Sequence, residues 1–168
     1  MTKELFSKDA VFVSEKENQS EVFKEVVPKL QKLGLVKEDF LENLLTREDK
    51  YPTGISLRPL SRQLPNIAIP HTEGKYVNTS MIIPIALKKN IEFKNMVNPP
   101  EDLPVKFMFM ILSEDSDIHA KILGDIMDFL SEQSAEDLIE LFNSKTPAEV
   151  YDYLKSNFNF RKSVEAIG

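Results

Sequence analysis

Asn66-Ile67-Ala68-Ile69-Pro70-His71-Thr72 is a short apolar run that ends in a proline and a histidine. The apolar residues predict a buried strand, and the proline predicts that this strand stops before His71. Histidine is rare here, with 2 residues among 168. A strand that carries one at its end is a candidate rigid support for a reactive imidazole, although a histidine in such a place is more often an ordinary turn residue.

The chain around this stretch predicts a sheet between helices. Residues 79–87 and 105–112 are apolar at both odd and even positions, which is typical of strands buried on both faces. A sheet of this kind needs helices on each side. Helical periodicity predicts five helices, over residues 21–33, 37–50, 118–130, 134–143 and 147–158. The predicted fold class is α/β, a sandwich in a single domain spanning residues 1–158, followed by a polar tail at 159–168.

Local signals refine these elements. Ser20 is a candidate N-cap for the first helix, Pro28 is expected to kink or shorten it, and Gly34 to end it. Pro84 predicts that its strand is at an edge or bulged at that point. Residues 95–104 contain several prolines and predict a loop. Residues 10–13 predict a short edge strand.

Composition excludes several classes of protein. The net charge is −6 and the basic residues are scattered, so we expect no nucleic-acid binding, which needs clustered Lys and Arg. The chain has no cysteine, which excludes thiol catalysis and disulfides and is compatible with a reducing cytoplasm. The N-terminal residues lack the apolar core of a signal peptide. Apolar runs fall far short of the ~20 residues of a membrane span, so no membrane insertion is expected.

The two histidines carry the candidate chemistry. No glycine-rich phosphate loop or Gly-x-Ser-x-Gly motif occurs, and His71 and His119 lie too far apart in sequence for a metal-binding pair on one helix. His119 falls near the start of a predicted helix, where free N–H groups and the helix dipole favour an anion. If the fold brings His71 there, one imidazole could attack a phosphoryl group and the other could hydrogen-bond its oxygens.

The residues alone leave a second interpretation open. A histidine in the first turn of an amphipathic helix more often packs or caps than reacts, so both histidines could be incidental features of a structural α/β domain. A separation of more than about 10 Å between them would exclude one shared phosphate, because each hydrogen bond spans only ~3 Å.

The stretch at 66–72 also resembles the active-site motif of the fructose/mannitol-type EIIA domains of the bacterial phosphoenolpyruvate-dependent sugar phosphotransferase system. Three other features agree in chain order: Arg47-Glu48, Tyr51-Pro52-Thr53-Gly54, which resembles galactitol-type members, and Ile118-His119-Ala120-Lys121-Ile122-Leu123. The resemblance implies a central mixed β-sheet between helices, with no metal or organic cofactor.

The resemblance also implies roles for individual residues. His71 would accept a phosphoryl group from the phosphocarrier protein HPr and pass it to an EIIB component, for uptake of a sugar or polyol through a membrane EIIC component. His119 would orient that group, Arg47 would neutralise its charge, and Thr72 would hydrogen-bond the ring or phosphate. An alternative is a regulatory module in which phosphorylated His71 controls binding to a partner protein.

One segment departs from the family pattern. Residues 56–65 form a longer loop before the active strand than is usual, and the loop carries Arg58 and Arg62. Either arginine is therefore an alternative to Arg47 as the phosphate ligand, and the loop is a candidate for the docking face.

Overall fold

The computed structural model describes residues 5–158, so the predicted tail at 159–168 lies outside the described residues. The strands are β1 (Phe12–Ser14), β2 (Gly54–Ile55), β3 (Asn66–Ala68), β4 (Met81–Asn95) and β5 (Asn98–Leu112). The helices are α1 (Gln19–Lys32), α2 (Phe40–Lys50), α3 (Ser116–Glu132), α4 (Ala135–Phe142) and α5 (Pro147–Asn157). Short 3₁₀ turns lie at Lys8–Ala10 and Gly74–Tyr76.

The five strands form one mixed sheet. β4 and β5 pair antiparallel as a long hairpin, β1 runs parallel to β4, and β3 runs parallel to β5. β2 pairs antiparallel with β3 and makes a single parallel bridge to the end of β4. β3 therefore lies beside β5, and the chain continues from its last residue, Ala68, toward His71.

Each face of this sheet carries its own hydrophobic core. On one face, side chains of α1 and α2 pack on alternate residues of β4 and β5 such as Ile83 and Met108. On the other face, side chains of α3, α4 and α5 pack on the intervening residues such as Ile82 and Phe109. Because strand side chains alternate between faces, strands buried on both sides read as continuous apolar runs. The predicted fold class, an α/β sandwich with a mixed sheet between helices, is confirmed.

The first helix differs from its prediction at its start. Asn18, not Ser20, is the N-cap, and its side chain accepts a hydrogen bond from the Glu21 N–H. Pro28 lies inside the helix without ending it. Gly34 ends the helix as predicted, with a positive φ of 76° that favours glycine.

The predicted loop at 95–104 is wrong. The β4–β5 hairpin turns at Met96-Val97, and residues 98–104 belong to β5. Prolines are tolerated in this part of β5 because only β4 pairs with it; β3 pairs with β5 from Val105 onward, so fewer backbone N–H donors are needed here. The proline in β4, Pro84, precedes Ile85, where pairing with β1 begins, and the bulge of β4 lies farther along, between Ala86 and Ile91.

Within residues 5–158, none of the helices combines the length and apolarity that crossing a lipid bilayer requires.

Candidate functional site

The backbone of the sheet fixes the position of His71. After β3 ends at Ala68, the Ile69 N–H donates to the Thr53 carbonyl at 3.2 Å. Pro70 then accepts a hydrogen bond from the Ile111 N–H of β5 at 3.0 Å, and His71 forms an isolated parallel bridge with Ile111. The strand direction is thus kept past the proline, and the imidazole stands at the edge of the sheet on a rigid support.

The second histidine lies in the first turns of α3. Asp115 is the N-cap of this helix, and its carboxylate accepts a hydrogen bond from the Ile118 N–H at 2.8 Å. The His119 N–H donates to the Asp115 carbonyl and so makes an early bond of the helix. This placement confirms the prediction that His119 lies near the start of a helix.

The fold brings the two histidines together. Their ring centroids are 4.3 Å apart, with the planes inclined at 43°. This distance is well below the limit of about 10 Å for a shared phosphate, and the predicted juxtaposition is therefore confirmed. Incidental placement of both histidines is hard to reconcile with their meeting, because these two are the full complement in 168 residues.

A hydrogen bond selects the tautomer of His71. Its Nδ1 lies 2.9 Å from the Ile69 carbonyl oxygen, and a carbonyl oxygen only accepts, so Nδ1 carries the proton. Burial lowers the pKa of His71 below its usual 6.5, the bond to Ile69 opposes this, and the charge of Arg47 lowers the pKa further. The ring is therefore neutral near pH 7, with the lone pair on Nε2.

His119 is also neutral near pH 7. Burial lowers its pKa from 6.5 to about 4, with smaller contributions from His71 and Arg47. Two adjacent imidazoles beside an arginine would repel one another if both were charged. As neutral rings, they can instead divide the tasks of nucleophile and hydrogen-bond donor.

Both histidines open onto one cavity of about 310 Å³. Its lining residues are Arg47, His71, Thr72, Glu73, Gly74, Ser113, Asp115, Ser116 and His119. Two larger surface depressions, of about 670 Å³ and 440 Å³, lie elsewhere, and neither is lined by a histidine. The smaller cavity is the candidate site because it holds the reactive groups.

Arg47 supplies the positive charge of this cavity. It lies in the last turn of α2, its guanidinium sits 5.0 Å from the centre of the Tyr51 ring, and its Nη1 is 3.8 Å from a carboxylate oxygen of Glu73. Its Nε is buried and lacks a hydrogen-bond partner among residues 5–158. A buried donor without a partner is uncommon, and because Nε is shielded from the solvent, the Nη groups are the guanidinium donors that could face an anion in the cavity.

The loop arginines do not reach this cavity. Neither Arg58 nor Arg62 lines it, because residues 56–65 precede β3 whereas His71 follows it. The alternative in which a loop arginine replaces Arg47 is therefore not supported by their positions.

Thr72 lines the cavity but points its hydroxyl elsewhere. Its Oγ1 donates to the Glu73 carbonyl at 2.9 Å, so its hydrogen is not directed at the His71 ring. Its role toward a phosphate stays a prediction.

Several residues of the site were not expected from the sequence. Glu73 faces Arg47, and Gly74 lies so close to the loop before α3 that a Cβ on it would be 2.2 Å from the Glu114 carbonyl oxygen. These contacts depend on where the chain turns after His71, which no short motif encodes. Among residues 5–158, no group of three His, Asp or Glu side chains is arranged to hold a metal ion.

The sequence motif marks Glu48 only as the partner of Arg47 in an Arg-Glu pair, although the sequence also carries a signal for its burial. It falls four residues after Leu44 and eight after Phe40, which places a carboxylate on the apolar face of α2.

Comparison with known proteins places the chain in a family. The family model described as phosphoenolpyruvate-dependent sugar phosphotransferase system, EIIA 2, matches residues 4–157. The comparison with curated protein sequences gave no match.

Solved structures with the same fold include three from Escherichia coli. The mannitol IIA protein is 18% identical, with a TM-score of 0.69 over 89% of this chain and 98% of that one. The IIA–phosphorylated IIB mannitol complex gives 17% identity and a TM-score of 0.67, covering 90% and 97%. The cryptic mannitol-specific enzyme IIA CmtB gives 14% and 0.65, covering 90% and 95%. At these identities the likeness is one of fold.

Proposed function

The chain belongs to the EIIA 2 family of the phosphoenolpyruvate-dependent sugar phosphotransferase system, and on that premise we propose that His71 is its phosphoryl-carrying residue. The observation that carries this proposal is the 4.3 Å approach of the His71 and His119 rings in a cavity that also contains Arg47. The phosphoryl donor is HPr and the acceptor is an EIIB component.

The proposed reaction is a displacement at phosphorus. The Nε2 lone pair of His71 attacks the phosphorus of phosphorylated HPr, a P–N bond forms, and the donor atom of HPr leaves with the electron pair of the broken bond. The phosphorylated ring keeps its Nδ1 proton and becomes cationic, and the Ile69 carbonyl stabilises that N–H. Transfer to EIIB reverses these steps and returns the neutral ring.

The other groups act on the phosphoryl oxygens. His119 donates a hydrogen bond to them, and the guanidinium of Arg47, which lines the cavity, supplies further donors together with positive charge. In phosphoryl transfer, catalysis is largely positioning and charge stabilisation, so a nucleophile, a donor and a guanidinium in one cavity suffice. Thr72 is a lesser candidate ligand.

The identity of the transported carbohydrate and the cellular location of the protein rest on less evidence than the role of His71. Tyr51-Pro52-Thr53-Gly54 favours a galactitol-like system by resemblance, but Thr53 binds Glu48 and Gly54 pairs with Ala68, so this segment serves the fold. We infer a cytoplasmic protein that acts with EIIB and a membrane EIIC, because phosphoenolpyruvate and HPr are cytoplasmic reactants.

The test is reconstitution with phosphoenolpyruvate, enzyme I and HPr. We expect the wild-type protein to acquire one acid-labile phosphate and His71→Ala to acquire none. Label undiminished in His71→Ala, or absent from the wild type, contradicts the proposal.

His119→Ala is the matched control, since it removes the neighbouring ring and leaves the nucleophile. This variant should still be phosphorylated but should pass the phosphate to EIIB more slowly. Transfer to EIIB also separates the transport role from the regulatory alternative, in which phosphorylation occurs without onward transfer.

A further inference from the structure

A buried carboxylate lies behind the cavity without touching it. Glu48 is 5% exposed, and among residues 5–158 no lysine or arginine forms an ion pair with it. An apolar residue would continue the Phe40–Leu44 stripe of α2 without the desolvation that a buried carboxylate suffers. The carboxylate therefore needs an explanation other than packing.

Its hydrogen bonds lead to the nucleophile. One Glu48 oxygen accepts from the Thr53 N–H at 2.8 Å, and the other accepts from the Thr53 hydroxyl at 2.6 Å. The Thr53 carbonyl accepts from the Ile69 N–H at 3.2 Å. The Ile69 carbonyl accepts from Nδ1 of His71 at 2.9 Å. An uninterrupted chain of contacts thus runs from Glu48 to the imidazole.

We infer that Glu48 is a positioning residue for the proposed phosphoryl transfer, holding Thr53 and, through it, the Ile69 carbonyl that fixes the His71 tautomer. This inference rests on the proposed function. Glu48 touches neither the reacting atoms nor the cavity, so its effect is on the orientation of the nucleophile. It also follows Arg47 directly, and anchoring Glu48 to Thr53 anchors the last turn of α2 from which the guanidinium projects.

The environment of Glu48 disfavours its charged form, which agrees with a role other than stabilising the fold. Burial raises its pKa to about 7, against the lowering effect of the two bonds from Thr53. The chain thus keeps a carboxylate where its charged form is disfavoured. Sites that tolerate such a penalty are often those at which geometry serves function.

The test compares three variants by ¹⁵N NMR of the His71 ring and by single-turnover phosphorylation from phosphorylated HPr. Glu48→Leu removes both bonds to Thr53 and fills the apolar stripe. We expect a mixture of His71 tautomers and a phosphorylation rate lower by on the order of 10- to 100-fold, since small misplacement of a reacting group has effects of this size. Glu48→Gln can accept from the Thr53 N–H and donate to its hydroxyl, and should keep one tautomer and a rate within about threefold of wild type.

Leu44→Ala is the matched control, one turn earlier on the same face of α2. It creates a cavity and lowers stability but leaves the Thr53 bonds, so the folded variant should keep the wild-type tautomer. If Glu48→Leu does not fold, Thr53→Val takes its place, because it removes the hydroxyl bond and preserves volume.

A wild-type tautomer and rate in Glu48→Leu, or in Thr53→Val where that variant substitutes for it, overturn the inference. The NMR measurement needs no phosphoryl transfer. A wild-type protein that is never phosphorylated would therefore refute the proposed function, and a Glu48→Leu spectrum unchanged from wild type would refute the positioning role.

Discussion

The two ends of β3 are held in different ways. At the end that leads to His71, backbone hydrogen bonds run to two other segments, from Ile69 to Thr53 and from Ile111 to Pro70. At the other end, residues 56–65 form a loop whose backbone bonds are local, such as Leu60 N–H to the Leu57 carbonyl. One side chain, Asn66, ties this loop to the sheet by accepting from the Leu57 N–H and donating to the Pro104 carbonyl.

The difference explains where sequence change is tolerated. Around His71, a shift in one segment is passed to the others, because each neighbour is hydrogen-bonded to the next. A loop with local bonds can lengthen at small entropic expense. The departure from the family pattern at 56–65 ends six residues before the reacting imidazole, roughly 20 Å along an extended chain.

The strongest test of the crowded end is Gly74→Ala. A Cβ at this position would lie 2.2 Å from the Glu114 carbonyl oxygen, and this atom is backbone, so the turn after His71 and the loop before α3 must separate. We expect a loss of about 1–3 kcal/mol in the free energy of unfolding. The phosphorylation rate should fall on the order of 100-fold, as seen by urea titration and single-turnover assay.

Gly124→Ala is the control for that variant. Gly124 lies in α3, and a Cβ there meets no heavy atom within 4 Å, so the change should raise stability by about 0.5–1 kcal/mol through helix propensity. Equal stability of Gly74→Ala and wild type would show that the two loops are not locked together.

Arg47→Ala is expected to have a similar effect on the rate but no large effect on stability. Loss of one charged donor to the transferring group typically lowers a rate by about 10²-fold, and phosphorylation of His71 should slow by this order while the protein stays folded. Arg47→Lys should recover only part of the rate, because an ammonium lacks the planar, forked donor geometry of a guanidinium. Full activity in Arg47→Ala would remove this residue from the site.

The same contrast separates what the sequence could predict from what it could not. The sandwich followed from apolar runs and helical periodicity, and the meeting of His71 and His119 from a strand end and a helix start. These signals are local. Because a sheet between helices can be connected in only a few ways, they were enough to predict that the two histidines meet. The extension of β5 through residues 98–104 was missed, because a run with Pro99 and Pro100 reads as loop and pairing with β4 overrode it.

The supporting contacts could not have been predicted in the same way. The bonds from Glu48 to Thr53 and the approach of Gly74 to Glu114 depend on tertiary register, to which no spacing rule applies. The position of Arg58 and Arg62 is not predictable for a related reason. Their loop precedes β3 and His71 follows it, but they lie at opposite ends only if the strand stays straight past Pro70. The sequence does not show that it does.

The pH dependence of the free energy of unfolding should show the lowered pKa of His119. Its pKa is about 4 in the folded protein against a usual 6.5, so between these values the unfolded chain binds a proton that the folded one does not. Stability is thus fully present above about pH 6.5 and decreases as pH falls toward 4. The loss is about 1 kcal/mol, after reduction for the partial exposure of the ring. Urea titrations of wild type and His119→Gln at pH 7 and pH 4.5 measure it.

Glu48 should show the opposite trend. Burial raises its pKa from 4.5 to about 7, so its contribution is present below pH 4.5 and is lost as pH rises through 7. Over the shared range of about pH 4.5 to 6.5 the two contributions have opposite slopes, so Glu48→Gln should remove a fall in stability with rising pH, whereas His119→Gln should remove a rise. Identical pH profiles for the two variants would show that neither the raised pKa of Glu48 nor the lowered pKa of His119 is present in the folded protein.

The smallest effect is expected at the open end of β3. Arg58→Ala and Arg62→Ala, singly and together, should change the single-turnover phosphorylation rate of His71 by less than about twofold, because neither side chain lines the cavity and both are exposed, where salt screens their charge. The assay should be repeated at low salt, where a long-range contribution to HPr docking would be largest. A tenfold loss that persists at high salt would place the loop against the reacting group, whereas a loss confined to low salt would assign these arginines to the approach of the partner. The rate should therefore be insensitive to both arginines, while Gly74→Ala and Arg47→Ala remain impaired in the same buffer.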